Sequence, residues 1–236
     1  MMKFERGDIQ FPDPATHEFK DYVRIGDFYF ESADIVGFGG EPSARNLIEA
    51  YKKGIFPWPM GGLPLPWFCP NPRAILDFSN LRIPRNVKRA MRDSTLRFTI
   101  DKAFDEVMRW CAAVDRGDGN GTWITEDFLA NYGELHRLGV AHSFEAWNEN
   151  DELVGGVYGV DAGGVFCGES MFFREPNASK LTLLFLIEQL SSRGATWMDI
   201  QTMSPHMEKL GAHEISRGEF LSRLHETQRK NLSLFD

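Results

Sequence analysis

The sequence predicts an α+β fold, with a small N-terminal domain over residues 1–72 leading into a mixed-sheet domain over 73–236. Three observations carry that reading. Alternating segments near 140–148, 152–160 and 164–170 are joined by the polar turns Glu149-Asn150-Asp151 and Asp161-Ala162-Gly163, a pattern of consecutive hairpin strands. A long helical segment over about 178–193 then leads to a further strand near 196–201. Such a strand–helix–strand unit joins parallel neighbours by a right-handed crossover. Last, the Pro/Gly-rich run from Pro57 to Pro72 punctuates the chain, and the residues ahead of Arg73 are too few for a large core of their own.

The elements come in order. Glu41-Pro42-Ser43 opens a helix that Ser43 can cap; Ala44, Leu47, Ile48 and Tyr51 share one face, and Gly54 can end it. Beyond Arg73, a basic helix spans roughly 84–93, and Leu96, Phe98 and Ile100 alternate as a strand. Helices are expected near 102–113 and 125–138, the second starting at Thr125 and stopping at Gly139. After the hairpins, the crossover helix and its strand, Ser216-x-x-Glu219 reads as the capping box of a last helix.

Composition narrows the function. There are 26 Lys plus Arg against 34 Asp plus Glu, a net charge of −8, so the surface is not basic throughout. No apolar run approaches the ~20 residues of a membrane helix, and the opening MMKFERGDIQFPDP has no apolar signal core. Cys69, Cys111 and Cys167 are far apart and odd in number, which argues against a disulfide framework or structural zinc and makes the cytosol the expected compartment. The six histidines never fall at metal-ligand spacing, and there is neither a P-loop nor a dinucleotide-binding glycine motif.

Ligands of open sheets usually sit at the carboxyl ends of parallel strands. Glu169 is expected at the end of one such strand, and Asp199 and Gln201, two apart and so on one face, at the end of the next. Two further features stand out. The segment Arg82 to Arg97 carries +5 against −13 for the remainder, with Arg85, Lys88, Arg89 and Arg92 forming one helical stripe. That stripe is either a solvated face or a phosphate-binding surface. Trp58, Trp67 and Trp123 lie in Gly/Pro-rich loops, suited either to plugging a domain interface or to stacking a nucleobase.

The stretches YKKGIFPW, WFCPNPRAIL, GTWIT, LHRLGVAHSFEAW, ELVGGVYGV, FCGESMFFREPNASK, DIQ and LGAHEI, collinear over roughly Gly39 to Leu224, resemble bacterial leucyl/phenylalanyl-tRNA–protein transferases. The resemblance implies an acetyltransferase-like (GNAT) second domain. It implies transfer of Leu, Phe or a similar apolar residue from aminoacyl-tRNA to the N-terminal amine of an acceptor protein beginning with Arg or Lys, marking it for degradation. Ester-to-amide transfer is downhill, so no cofactor or metal is expected. Matched residue by residue, the family's motifs place the terminal adenine between Trp58 and Trp123 and the amino-acid side chain among Val157, Phe166, Met171 and Leu186. Glu169 would orient the aminoacyl adenosine, Asp199 and Gln201 would act at the ester, and Arg85, Arg89 and Arg92 match the tRNA-binding cluster, with Lys88 on the same stripe. Pro59-Met60, Phe68, Asp93, Val157 and Leu186 depart from the residues usual in that family. An acyl-coenzyme A N-acetyltransferase shares the implied fold, but the junction Phe173 to Ser179 holds Pro176 and no glycine for a pyrophosphate cradle. A non-catalytic tRNA-binding module is the third reading.

Overall fold

The computed structural model describes residues 7–114 and 122–235. Met1–Arg6 of the opening segment and Gly121 of the GTWIT motif lie outside the described residues. In chain order the elements are β1 (Tyr22–Ile25), β2 (Phe28–Glu31), β3 (Ile35–Phe38), α1 (Ala44–Lys52), β4 (Phe56–Pro57), β5 (Pro66–Phe68) and β6 (Arg73–Asp77). Then come α2 (Arg85–Asp93), β7 (Arg97–Ile100), α3 (Phe104–Ala113), α4 (Glu126–Arg137), β8 (Ala141–Trp147) and β9 (Leu153–Asp161). The chain closes with β10 (Phe166–Phe173), α5 (Ala178–Ser192), β11 (Trp197–Gln201), α6 (Pro205–Lys209), β12 (His213–Ile215) and α7 (Arg217–Gln228).

Seven strands form one mixed sheet in the order β12-β6-β11-β10-β9-β8-β7. Only β10 and β11 run parallel, as the long connection through α5 demands; the other neighbours pair antiparallel. Two strands of this sheet, β6 and β12, are not marked by sequence periodicity. Residues 73–76 are buried throughout, so the strand has no polar alternation to betray it.

The two faces of the sheet carry different helices. On one, α5 buries Leu183, Leu186, Ile187 and Leu190 against Val157, Phe166 and Met198, and turns Leu181 and Leu184 outward onto Val87 of α2. A helix covered on both sides is apolar nearly all round, which is why α5 reads as a continuous hydrophobic run. On the other face, α3 and α4 cover Tyr158, Val160 and Phe172. The same cluster continues without a break into Leu47, Tyr51, Ile55, Phe56 and Trp67, so the N-terminal elements share this core.

Local signals seat these helices. The Ser43 hydroxyl accepts the Asn46 N–H at 3.3 Å at the start of α1, and the Ser216 hydroxyl accepts the Glu219 N–H at 3.2 Å at the start of α7. Gly54, which ends the helical turn after α1, has φ +73°, and a Cβ there would come within 2.6 Å of the Phe220 ring on α7. The residue therefore serves both a left-handed turn and a close helix–helix approach.

Candidate active site

The site arises where β10 and β11 separate. They share one registered pair, Cys167 with Asp199, and beyond it each strand carries a bulge against its other neighbour, β10 between Gly168 and Ser170 and β11 between Asp199 and Gln201. Each bulge changes which way side chains point. In β10, Phe166 and Met171 both meet the α5-side cluster although they are five residues apart, an odd spacing that a regular strand would send to opposite faces. Glu169 therefore sits inside β10, at the kink, and not at the strand end expected from sequence.

A cavity of about 370 Å³ opens at this point, within the size range of small-molecule sites. Its polar floor is Glu169 and Gln201, its apolar wall is Val157, Met171, Leu183 and Met198, and its rim holds Trp58 and Trp123. Val157 and Met171 are direct cross-strand partners. Two expected wall residues lie elsewhere. Phe166 and Leu186 are fully buried behind the wall, Phe166 edge-on to Phe144 with centroids 5.8 Å apart. Leu183, one turn from Leu186 on α5, and Met198 occupy the cavity side instead.

Asp199 corrects the expectation that it shares one face with Gln201. Its side chain is 0% exposed and forms two hydrogen bonds with Arg73, Nε to Oδ1 at 2.9 Å and NH2 to Oδ2 at 2.6 Å. Arg73 is itself held between the rings of Phe56 at 4.8 Å and Phe220 at 4.3 Å. Burial opposes the guanidinium charge, but the carboxylate overcomes it and holds the Arg73 pKa above its ordinary value. Asp199 Oδ1 also accepts the Gln201 backbone N–H at 2.9 Å, clamping Gln201 at φ +57°. Such a conformation is costly for a residue with a side chain and persists only when its surroundings enforce it.

Gln201 in turn donates from Nε2 to Glu169 Oε1 at 2.9 Å. Burial raises the Glu169 pKa to about 8; hydrogen bonding from Tyr51 opposes the shift and the Asp199 charge adds to it. Tyr51 of α1 and Tyr132 of α4 meet hydroxyl to hydroxyl at 2.5 Å, and burial, reinforced by the Glu169 charge, pushes both phenols well above their usual range. Arg73, Tyr51 and Tyr132 do not stand out in the sequence as site residues. An Arg beginning the otherwise apolar run Arg73-Ala74-Ile75-Leu76 is the available signal for the first; the tyrosines read as ordinary core positions.

At the rim, the rings of Trp58 and Trp123 stack on each other at 5.9 Å and 24°, and Trp123 is braced edge-on by Phe128 at 5.6 Å. On the far side of α5, Arg85, Lys88, Arg89 and Arg92 are exposed along α2. Only Arg89 of the four has an ion-pair partner among the described residues, Asp93 at 3.3 Å. Among the described residues no three His, Cys, Asp or Glu side chains gather as a metal site, and no helix is long and apolar enough to cross a membrane.

Known proteins share this chain's sequence over most of its length. Residues 75–225 match the family model described as leucyl/phenylalanyl-tRNA protein transferase, and residues 40–71 match that described as its N-terminal domain. The chain is 43% identical over 218 residues to the leucyl/phenylalanyl-tRNA–protein transferase of Pseudoalteromonas atlantica (strain T6c), covering 92% of this chain and 88% of that protein. Identity to the protein of the same name from Enterobacter sp. (strain 638) is 42%, covering 98% and 93%. A solved structure, L-PGS from Bacillus licheniformis, matches at 15% identity and a TM-score of 0.38 over 57% of this chain and 47% of that one, a likeness too slight to assign a fold.

Proposed function

The chain belongs to the leucyl/phenylalanyl-tRNA protein transferase family, and we infer that it transfers Leu, Phe or a similar apolar residue from aminoacyl-tRNA to protein N-termini. The acceptors are proteins beginning with Arg or Lys, and the product is tagged for degradation. The observation that best supports this reading is the Glu169–Gln201 pair, held at the floor of an apolar cavity beneath two stacked tryptophans.

In the reaction, the acceptor amine attacks the ester carbonyl, the new C–N bond forms, and the C–O bond to the ribose breaks. One amine proton is lost and the ribose oxygen gains one. An α-ammonium has a pKa of ~8, so at neutral pH it must shed a proton before it attacks. Glu169, raised to about 8, is matched to that task, since proton exchange between groups of similar pKa is nearly balanced. Gln201, with Nε2 donated to Glu169, turns its carbonyl oxygen toward the incoming N–H. Asp199 does not reach substrate in this reading; it positions Gln201 through the backbone N–H and is itself fixed by Arg73. The adenine stacks at Trp58 and Trp123, the transferred side chain fills the wall of Val157, Met171, Leu183 and Met198, and the α2 stripe meets tRNA phosphates.

We divide the chain at 72/73 into a small N-terminal domain and an acetyltransferase-like domain; the Pro/Gly-rich run from Pro57 to Pro72 supports the boundary, and the β10–α5–β11 parallel crossover with its splayed ends supports the second domain's character. Dependence on aminoacyl-tRNA supports the cytosol as its compartment. The deciding experiment incubates the protein with radiolabelled Leu-tRNA and a peptide beginning with Arg. Label should appear in the peptide; label from acetyl-coenzyme A instead, or tRNA binding without transfer, would overturn the assignment.

A further inference from the structure

Beside the aminoacyl cleft lies a second cavity, of about 550 Å³, between the end of α3, the end of β10 and the start of α5. It shares Val114 and Met171 with the first, so the two adjoin along one wall. Its charged lining is Arg174 and Lys180, with no carboxylate among the lining residues, and His206 adds an imidazole that burial and the nearby lysines hold toward its neutral form. Arg174 is fixed in place, its guanidinium 4.6 Å from the Trp110 ring centroid and its NH1 donating to the Leu153 carbonyl at 3.1 Å. Trp110 is backed in turn by Phe172 at 6.0 Å and 21°. Phe173, the next residue of β10, is 65% exposed at the same cavity. His206 Nε2 is buried with no hydrogen-bond partner among the described residues.

These groups continue a positive path. Leu181, the neighbour of Lys180 on α5, packs on Val87 of α2, and the outer face of that helix carries Arg85, Lys88, Arg89 and Arg92. On a protein of net charge −8, a run of cations ending in a cavity with an exposed aromatic ring fits a single-stranded polyanion. An acceptor peptide with a basic first residue and a free amine would be repelled from the same cavity.

We propose that this second cavity binds the unpaired 3′ strand of the donor tRNA immediately ahead of its aminoacylated nucleotide. The phosphates meet Lys180 and Arg174, and a base lies against Phe173. The proposal rests on the aminoacyl-tRNA reading and adds to it a subsite that lengthens the donor contact beyond the terminal adenosine.

The test compares three phenylalanyl donors with one acceptor peptide: the ester of adenosine alone, the ester of the trinucleotide CCA, and charged tRNA. In the wild type, KM should fall at least about fivefold from adenosine to trinucleotide, the low end of what one stacked base supplies. Phe173→Ala and Lys180→Gln should each remove most of that gain. Both should leave the adenosine donor's kcat and KM, and the melting temperature, near wild type. Lys180→Gln should also flatten the log–log salt dependence of trinucleotide KM by about 0.7. Wild-type KM for the trinucleotide in both variants would overturn the proposal. So would an equal rise for the adenosine donor, or a rise in KM for the peptide alone, which would give the cavity to the acceptor. If the wild type uses none of the three donors, the transferase reading itself fails and the subsite falls with it.

Discussion

Glu169 keeps its proton to about pH 8 in the fold, whereas an unfolded glutamate releases it near 4.5. Between those values the folded chain holds a proton that the unfolded chain does not. Its stabilising contribution is therefore complete below the lower value and is lost as pH rises through about 8. Glu169→Gln, which cannot ionise, should melt above the wild type by a margin that widens between pH 5 and 8.5, reaching several degrees, while transfer falls by about 10²-fold. Thermal melts across pH and single-turnover assays read the two effects; a margin constant with pH would remove the displaced pKa. Asp199 makes the opposite case. Asp199→Asn strands the Arg73 charge in the interior at a cost of about 3–5 kcal/mol, so the melting temperature should drop by roughly 10 °C along with turnover. An unchanged melt would mean that the ion pair is not closed. That Glu169, Asp199 and Gln201 gather where β10 and β11 run together was legible from the order of the segments, although the regular spacing expected of them is broken by the bulges. The role of Asp199 was not, because its partner lies 126 residues away and no local pattern reports it. Tyr51 and Tyr132 were hidden for a related reason: a buried phenol whose hydroxyl is satisfied has the same helical spacing as any core aromatic.

Among the elements, the β10–α5–β11 crossover followed from the order of strand and helix segments, since a connection of that length favours a parallel pair. The two bulges did not, for a bulge exists only relative to the neighbouring strand and leaves no mark within its own segment. They decide the site: without them Glu169 and Met171 would keep one face of β10 through regular alternation with Phe166 opposite. Helix α2 was fully legible because amphipathicity is a property of one segment, with Val87 turned inward onto α5 and the cations outward. Arg89 sits in the middle of that outward face, partly neutralised by Asp93 across an exposed pair that contributes little to stability. Arg89→Glu should leave the melt unchanged and weaken every charged tRNA similarly. The log–log salt slope of tRNA affinity should flatten by about 0.7–0.9 for the lost phosphate contact. Filter binding across salt measures this, and an unaltered slope would move the tRNA surface off α2.

At the scale of the whole molecule, the Pro/Gly run before Arg73 signalled two parts, yet the core passes straight through that boundary. Leu47, Tyr51, Ile55, Phe56 and Trp67 belong to the same buried cluster as Val107, Phe128, Tyr158 and Phe220. The two sides also exchange site groups, Tyr51 from α1 reaching Tyr132 of α4 and Phe56 from β4 reaching Arg73 of the large sheet. Composition can mark a linker but not whether hydrophobic surface is shared across it. Residues 73–236 produced alone should therefore lack a cooperative melt and bind a hydrophobic dye, and adding residues 1–72 in trans should restore part of the transition. A sharp melt of the shorter chain near the full-length value would show the large sheet to be self-sufficient.

The contact between Trp58 and Trp123 has a consequence for selectivity. At 5.9 Å the indoles are nearer than the ~7 Å, twice the stacking rise of nucleic acid, that a flat ring between them needs, so a nucleobase bound there as proposed must first part the pair. In the proposed reading every nucleobase meets that same cost before it gains any stacking. A purine recovers it across a broad face, whereas a pyrimidine offers less surface in exchange. On the proposed assignment the rim would reject the wrong end-nucleotide by threshold alone, reading the size of a surface where a hydrogen-bonding site would read its edge.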